Sequence, residues 1–315
     1  IQAAIAAAMD GAIVDHEPQK TYIVDDYVLL KSNIVVRGNG CKYEHSTDIK
    51  KAFFVGNGTD NIVIDGIVFD GKKTDDSGSG YPYGPNRGIT IQTCSNVKIS
   101  NCSFYNMTYG VVTNLDGDNF ACSINNNYFY NVKYSIDGYA VGYNIESNII
   151  ENLDSTALSI QIEPLNQTID DTVPDDNDWV STNRAWAIDV NVVNNIIRGG
   201  FGGIVVFGGV CGCSVANNRV ANCANYGIFV KAQSKQVVIS GNTVRNITGG
   251  SGALPTAIDG SGIYISASYS CIAESNIVEN TRTGIIAYGQ DNVAIRGNTI
   301  RKSKTSGISA LSCTG

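Results

Sequence analysis

Histidine is nearly absent: His16 and His45 are the only two in 315 residues. Cys211-Gly-Cys213 is the one closely spaced cysteine pair, and with no histidine in its part of the chain a zinc site lacks its ligands. The nine cysteines are odd in number and form no disulfide framework, so folding without disulfides is expected. Proline is scarce too, six residues against 34 glycines, which permits many tight turns without breaking stacked strands. No run of Lys or Arg occurs, and 22 basic against 29 acidic residues leave a net charge of −7. That balance disfavours nucleic acid or an anionic membrane surface as the main partner. It leaves an acidic glycan open, because a local basic spot can sit on an acidic protein. No stretch is long and apolar enough to span a bilayer.

What the chain does contain is a repeated phrase. Val97-Lys-Ile-Ser-Asn-Cys-Ser-Phe-Tyr-Asn106, Cys122-Ser-Ile-Asn-Asn-Asn-Tyr-Phe-Tyr-Asn131 and Tyr143-Asn-Ile-Glu-Ser-Asn-Ile-Ile-Glu-Asn152 return at 190–199, 213–222, 237–246, 271–280 and 293–302. Each copy alternates apolar residues, then usually places an Asn, an apolar pair, and often a second Asn four residues on. The first such position falls at Cys102, Asn127, Asn148, Asn195, Asn218, Asn242, Asn276 and Asn298, with differences of 25, 21, 47, 23, 24, 34 and 22 residues. A period near 20–25 with strand-like alternation and no helical stretch between copies predicts a β-solenoid. An Asn at one register predicts a stacked ladder of side-chain amides. The expected fold is all-β: a right-handed parallel β-helix of about ten rungs, one domain over 1–315, with a cap over 1–20 and rungs over 21–315. Cys122, Cys213 and Cys271 each lie five places before a ladder Asn, where other rungs carry Val97, Tyr143, Val190, Val237 and Val293. They read as small apolar residues of one core column.

Ile1-Gln-Ala-Ala-Ile-Ala-Ala-Ala-Met9 reads as an amphipathic helix laid over the open end of the solenoid. At the other end, residues 307–315 stop inside an ordinary rung, so the expectation is a fragment truncated at both ends, continued by more rungs or another domain. The opening Ile1-Gln-Ala-Ala-Ile5, the run Gln19-Lys-Thr-Tyr-Ile-Val24 and the Asn-bearing rungs resemble the pectate-lyase-like β-helix superfamily. Within it they resemble the branch common in phage tailspikes and bacterial polysaccharide-degrading enzymes. The Gly-Asp-Gly-x-x-Asp-Asp segment that usually precedes the helix in that branch is absent, consistent with truncation. The resemblance implies a polysaccharide partner, a homotrimer, and a place on a virion tail or outside the cell. Outward apolar residues such as Val205, Phe207, Phe229 and Ile286, which need cover on a soluble rod, add to the trimer expectation.

Rungs that must stack can vary in length only by ejecting loops, so the three expanded places are informative. Lys72–Arg87 and Thr248–Ser261 precede, and Pro164–Ala185 follows, one type of strand. These loops should rim one long face of the rod, a groove for an extended chain. Alternation points Ile89, Val111, Ile136, Leu158, Ile204, Ile228, Ile263 and Ile285 inward. Thr90, Val112, Asp137, Ser159, Val205, Phe229, Tyr264 and Ile286 then point outward. Two places on, the next outward column reads Gln92, Asn114, Tyr139, Gln161, Phe207, Lys231, Ser266 and Tyr288. Amides, hydroxyls and aromatic faces in rows suit sugar rings, so Asn114, Tyr139, Gln161, Lys231 and Tyr264 are candidate substrate contacts. Trp179, Arg184 and Trp186, in or beside the largest loop, join them.

Among carboxylates, Asp116, Asp137 and Glu163 fall on or at the end of this strand type. Asp116 and Glu163 count to one column two rungs apart, roughly 9–10 Å at the usual strand spacing. That separation suits an inverting pair, one carboxyl protonating the leaving oxygen and the other activating water. Glu163 is the leading acid, with Asp137 or Asp116 its partner. No metal site and no cofactor are expected; Asp170, Asp171, Asp175, Asp176 and Asp178 read as a solvated loop, with Ca²⁺ the alternative. Three functions compete: a glycoside hydrolase that depolymerises a surface polysaccharide, a lyase or epimerase on uronic-acid polymers, and a non-catalytic adhesin. The second needs a base and a cation to neutralise the uronate, and the face offers only Lys231 and Arg184.

Overall fold

The computed structural model describes residues 2–24, 26–45, 52–72, 86–114, 119–138, 141–162, 187–231, 234–249, 259–266, 268–289 and 292–313. In each repeat the chain runs along one face, turns sharply, runs along a second, bends again and runs along a third. The first turn has a local cause. The residue before each ladder position is Asn126, Ser147, Asn194, Asn217, Gly241, Ser275 or Gly297, with φ between 55° and 65°. That left-handed conformation favours Gly and Asn and reverses the strand within two residues. Asn106, Asn131, Asn222, Asn246 and Asn280 repeat the device at the second bend, with φ of 51–61°.

Among the described residues all strand pairs are parallel, each strand bonding to its counterpart one repeat away. The first face is an 11-stranded sheet running from Ala12–Asp15 through Ser123–Asn125 and Val210–Ala216 to Ala294–Arg296. The second includes Lys42–His45, Ile196–Gly199, Arg219–Ala221 and Thr243–Ile247; the third includes Arg87–Gln92, Leu158–Ile162, Gly202–Phe207, Tyr226–Lys231 and Thr283–Tyr288. Ser103–Asn114 and Tyr128–Gly138 pass round the corner and serve both faces. Among the described residues the solenoid has eleven rungs, in keeping with the expected number of about ten. Ala12–Asp15, counted with the cap in the sequence reading, is the first strand of the first face. The helix is shorter than expected, Gln2–Ala7, and its Ile5, 1% exposed, belongs to the same core cluster as Val24, Val28 and Ile34. It does close that end. Among the described residues no helix is long and apolar enough to cross a membrane.

The ladder forms as the spacing predicts. Asn127, Asn148, Asn195, Asn218, Asn242 and Asn276 each donate from Nδ2 to Oδ1 of the next Asn at 2.9–3.0 Å, ending at Asn298. Each Oδ1 also accepts a backbone N–H from the rung before, and each Nδ2 also reaches a carbonyl, as Asn218 does to Val192 at 2.8 Å. Cys102 opens the ladder by donating its N–H to Asn127 Oδ1 at 2.9 Å. Buried amides with every group partnered stabilise and specify the stack.

Inside, Phe69, Phe104 and Phe129 stack with centroids 5.1 and 4.7 Å apart, and Ile150, Ile197 and Val220 continue their column. Cys122, Cys213 and Cys271 occupy the predicted core column, and burial pushes their thiols up to about 12, 12 and 11. All nine cysteines are free.

One register differs from the sequence reading. Ile160, not Leu158, lies in the column of Ile136, while Leu158 pairs with Tyr134 and is half-buried. Gln161 therefore stands beside Asp137, and Ser159 is buried. The bend before this strand sets the slip: Asn152 accepts the Val132 N–H at 3.2 Å and donates to Ser159 at 3.1 Å.

His45 is 1% exposed and stacks on Phe53 with centroids 3.7 Å apart; neither ring nitrogen finds a hydrogen-bond partner among the described residues. Burial lowers its pKa from 6.5 to about 4. As pH falls, the unfolded chain takes up this proton before the folded one does. The neutral ring's contribution is complete above pH 6.5 and is lost progressively between 6.5 and 4, at roughly 3 kcal/mol over the window. Urea midpoints of the protein and of His45→Leu should diverge on going from pH 4.5 to 7.5, the natural protein gaining more stability. Parallel pH profiles would mean the ring is not held neutral.

Candidate functional site

The third face is the one the expanded repeats flank. Arg87 and Ser261 open two of its strands on one edge, in one column with Tyr109, Tyr134, Gly202 and Tyr226. Ile162, the last described residue before 187, lies on the opposite edge. Segments 73–85, 163–186 and 250–258 lie outside the described residues. Glu163, Asp116, Tyr139, Trp179, Arg184 and Trp186 lie there or in other undescribed stretches, as does the run of aspartates at 170–178. Asn114 is placed as a strand residue beside Gln92, its side chain undescribed.

Along this face the outward column runs Val55, Thr90, Val112, Asp137, Gln161, Val205, Phe229, Tyr264 and Ile286. It divides in two. Val205, Phe229, Tyr264 and Ile286 form a second apolar cluster with Tyr226 on the outside of the solenoid. They are only 3–7% exposed within a single chain. They therefore need no subunit contact to cover them, and the trimer expectation is left to the family resemblance. Tyr264 packs its ring 5.0 Å from Phe229, and burial raises its hydroxyl pKa. Its ring face is not open for a sugar to stack on. Lys231 reaches over the half-buried Phe207 ring at 4.8 Å, so these neighbours form one amphipathic surface in the next column.

The other half of the column is polar and coincides with the rungs where the sequence placed the site. Thr90 is fully buried and Asp137 is 4% exposed, on the rung between Val112 and Gln161. Thr90 Oγ1, Gln92 Oε1 and Gln161 Oε1 are withdrawn from water, and none has a hydrogen-bond partner among the described residues. Gly138 fixes the backbone directly after Asp137: its φ is 122°, and a Cβ there would stand 1.8 Å from the Thr113 carbonyl oxygen. The polar half is a row of hydroxyl, carboxyl and amide groups in which Thr90 and Asp137 are buried and the half-buried amides Gln92 and Gln161 are the members a ligand can reach. The pairing of Asp116 with Glu163 depended on Leu158 lying in the Ile136 column; with Ile160 there, the count no longer joins them.

The sequence reading did not find Arg87 and Tyr109 on the adjacent edge. The Arg87 guanidinium lies 4.6 Å over the Tyr109 ring, which stacks on Tyr134 at 4.8 Å. The signal was available as a fixed offset of two residues before each inward Ile or Val.

Residues 88–256, more than half of the chain, match the model of a family described as right handed beta helix region. Residues 246–315 match that of a family described as periplasmic copper-binding protein (NosD). That stretch has no His or Met, and of its two cysteines Cys271 is buried. Among the described residues no three of His, Cys, Asp and Glu gather as a metal would require. The donor set does not fit copper. No curated protein matches the chain by sequence. Among solved structures, the tailspike protein of the E. coli bacteriophage HK620, in complex with a pentasaccharide, superposes with a TM-score of 0.64 at 14% identity. That match covers 97% of this chain and 60% of the tailspike, so the chain spans well under two thirds of that relative. The Streptococcus pneumoniae surface protein and adhesin PfbA superposes with a TM-score of 0.56 at 13% identity, over 98% of this chain and 94% of the adhesin. At these identities the likeness is one of fold.

Proposed function

The chain belongs to the right-handed β-helix family, and from that premise we propose that it is a carbohydrate-active rod that binds a polysaccharide lengthwise along its third face. The observation that carries this reading is the pair of half-buried amides Gln92 and Gln161 on the outer side of one sheet, whose Oε1 atoms have no donor among the described residues. A buried acceptor without a donor costs about 1–3 kcal/mol, which a ligand rich in hydroxyl groups can recover. Sugar hydroxyls are such donors, and the Phe207–Lys231 surface beyond offers an apolar patch with a cationic rim. The pentasaccharide held by the HK620 tailspike supports the ligand class. The work would be done outside the cell, on a virion tail or a cell surface, and the homotrimer stays part of the proposal on family grounds.

The reaction we assign is glycoside hydrolysis, with Glu163 as acid and Asp137 as its partner. One carboxyl protonates the leaving oxygen while the other activates water. Incubation with a panel of capsular and algal polysaccharides tests this. New reducing ends are expected, and Asp137→Asn and Glu163→Gln should each slow their release by a factor on the order of 10²–10⁴ with binding retained. Unsaturated ends absorbing near 235 nm would make the protein a lyase instead. Binding without new ends of either kind would leave the face in place and remove the chemistry, as in an adhesin. Full activity in both variants would move the reaction elsewhere.

A further inference from the structure

On the second face, away from the surface just described, three arginines surround one small residue. Register aligns Glu151, Arg198, Ala221, Arg245 and Glu279 in a single outward column on successive rungs. Arg219 lies two residues before Ala221 on the same side of the sheet. The methyl of Ala221 thus floors a notch with Arg198 one rung to one side, Arg245 one rung to the other, and Arg219 beside it. The concavity is about 440 Å³, and its lining adds the apolar surface of Ile196 and Thr243 to the three guanidinium groups.

The charges in this notch are unevenly matched. Arg198 is held from the far side by Glu151 at 2.5 Å, and Arg245 by Glu279 at 3.6 Å. Glu151 is itself fixed by the Tyr128 hydroxyl at 2.8 Å. Each of these contacts uses a small part of a five-donor guanidinium, leaving N–H groups for the notch. Arg219 has no carboxylate partner among the described residues. A guanidinium fork beside two others, over an apolar floor, is complementary to a carboxylate carried on a ring.

We propose that this notch is a second glycan site, separate from the third face, that binds the carboxylate of one acidic sugar unit in a polysaccharide. The ligand class rests on the carbohydrate reading above; the position and the charge selectivity rest on the arginines. Densely charged polyanions such as nucleic acid fit poorly, because Glu151 and Glu279 bracket the notch and the chain carries a net charge of −7. A chain with one carboxylate per sugar or per repeat unit can place that group at Arg219 and its neighbours beyond the glutamates.

Titration of the full chain with trisaccharides of galacturonate, glucuronate and mannuronate and with a sialylated trisaccharide tests this, neutral maltotriose serving as control. At least one acidic probe should bind, more weakly as salt is raised, and its methyl ester should lose at least ten-fold in affinity. Arg219→Ala should cost ten-fold or more and Ala221→Trp, which fills the notch, should abolish binding. Both positions are at the surface, and unchanged urea midpoints would establish that the variants are folded. Binding that is equal in both variants and in the natural protein would overturn the assignment, as would binding of none of the acidic probes. Arg219→Ala and Ala221→Trp should leave the release of reducing ends from a neutral polysaccharide unchanged, so a failure of the third-face reading and a failure of the arginine notch are distinguishable.

Discussion

Asn218→Ala should destabilise the chain by about 3–5 kcal/mol, although it touches no ligand surface. The side chain sits in the middle of the ladder, fully buried. Removing it takes the acceptor from the Asn195 N–H at 2.9 Å and from Asn195 Nδ2 at 3.0 Å. It also takes a donor from the Val192 carbonyl and from Asn242 Oδ1. Two buried donors are left without partners, and each such group costs about 1–3 kcal/mol. Asn298→Ala, at the half-buried last position, should cost only about 1 kcal/mol because water reaches the groups it leaves. Urea unfolding followed by circular dichroism separates the two variants. Equal losses at both positions would mean that the ladder does not act as a buried, cooperative column.

Gly138→Ala should be more damaging than a glycine substitution at a strand end usually is. The backbone at φ 122° lies where an L side chain is strained, and the new Cβ would overlap the Thr113 carbonyl oxygen at 1.8 Å. Both atoms are main chain or fixed to it, so the rung itself must shift. A loss of roughly 4 kcal/mol is expected. Gly58→Ala is the control: φ is 60° and nothing lies within 4 Å, so only the conformational cost of about 1 kcal/mol remains. Because Gly138 follows Asp137, the variant should also impair any activity centred there. A Gly138→Ala protein with an unchanged urea midpoint would show that the rung yields more easily than its packing implies.

The Asn phrase made most of the fold legible before any coordinates. A fixed register for a buried amide requires a solenoid, and the residue ahead of each ladder Asn is Asn, Ser or Gly because the turn needs positive φ. The slipped strand Leu158–Ile162 was not legible for an equally physical reason. Leu158, Ile160 and Ile162 are apolar in alternation, so a slip of two residues preserves the inward and outward faces and pattern alone cannot detect it. Only the hydrogen bonds of Asn152 decide it. Nor could alternation tell that Val205, Phe229, Tyr264 and Ile286, which point away from the core, are nevertheless covered. The arginine notch was hidden differently. Its three arginines follow one another at 21 and 26 residues and meet only when rungs are aligned, yet Arg198, Ala221 and Arg245 each lie three places after a ladder Asn. Reading that offset down the repeats would have found the column.

The central claim is that a polysaccharide lies along the third face, and the structure of the chain with a bound oligosaccharide, taken from whichever polysaccharide it binds, tests this most directly. The sugar chain should run parallel to the rod across successive rungs. Its hydroxyl groups should lie within hydrogen-bond distance of Gln92 Oε1 and Gln161 Oε1, and one of its rings should lie against Phe207 and Lys231. An oligosaccharide seated on the sheet that contains Ser123–Asn125 and Val210–Ala216, with the third face empty, would contradict it.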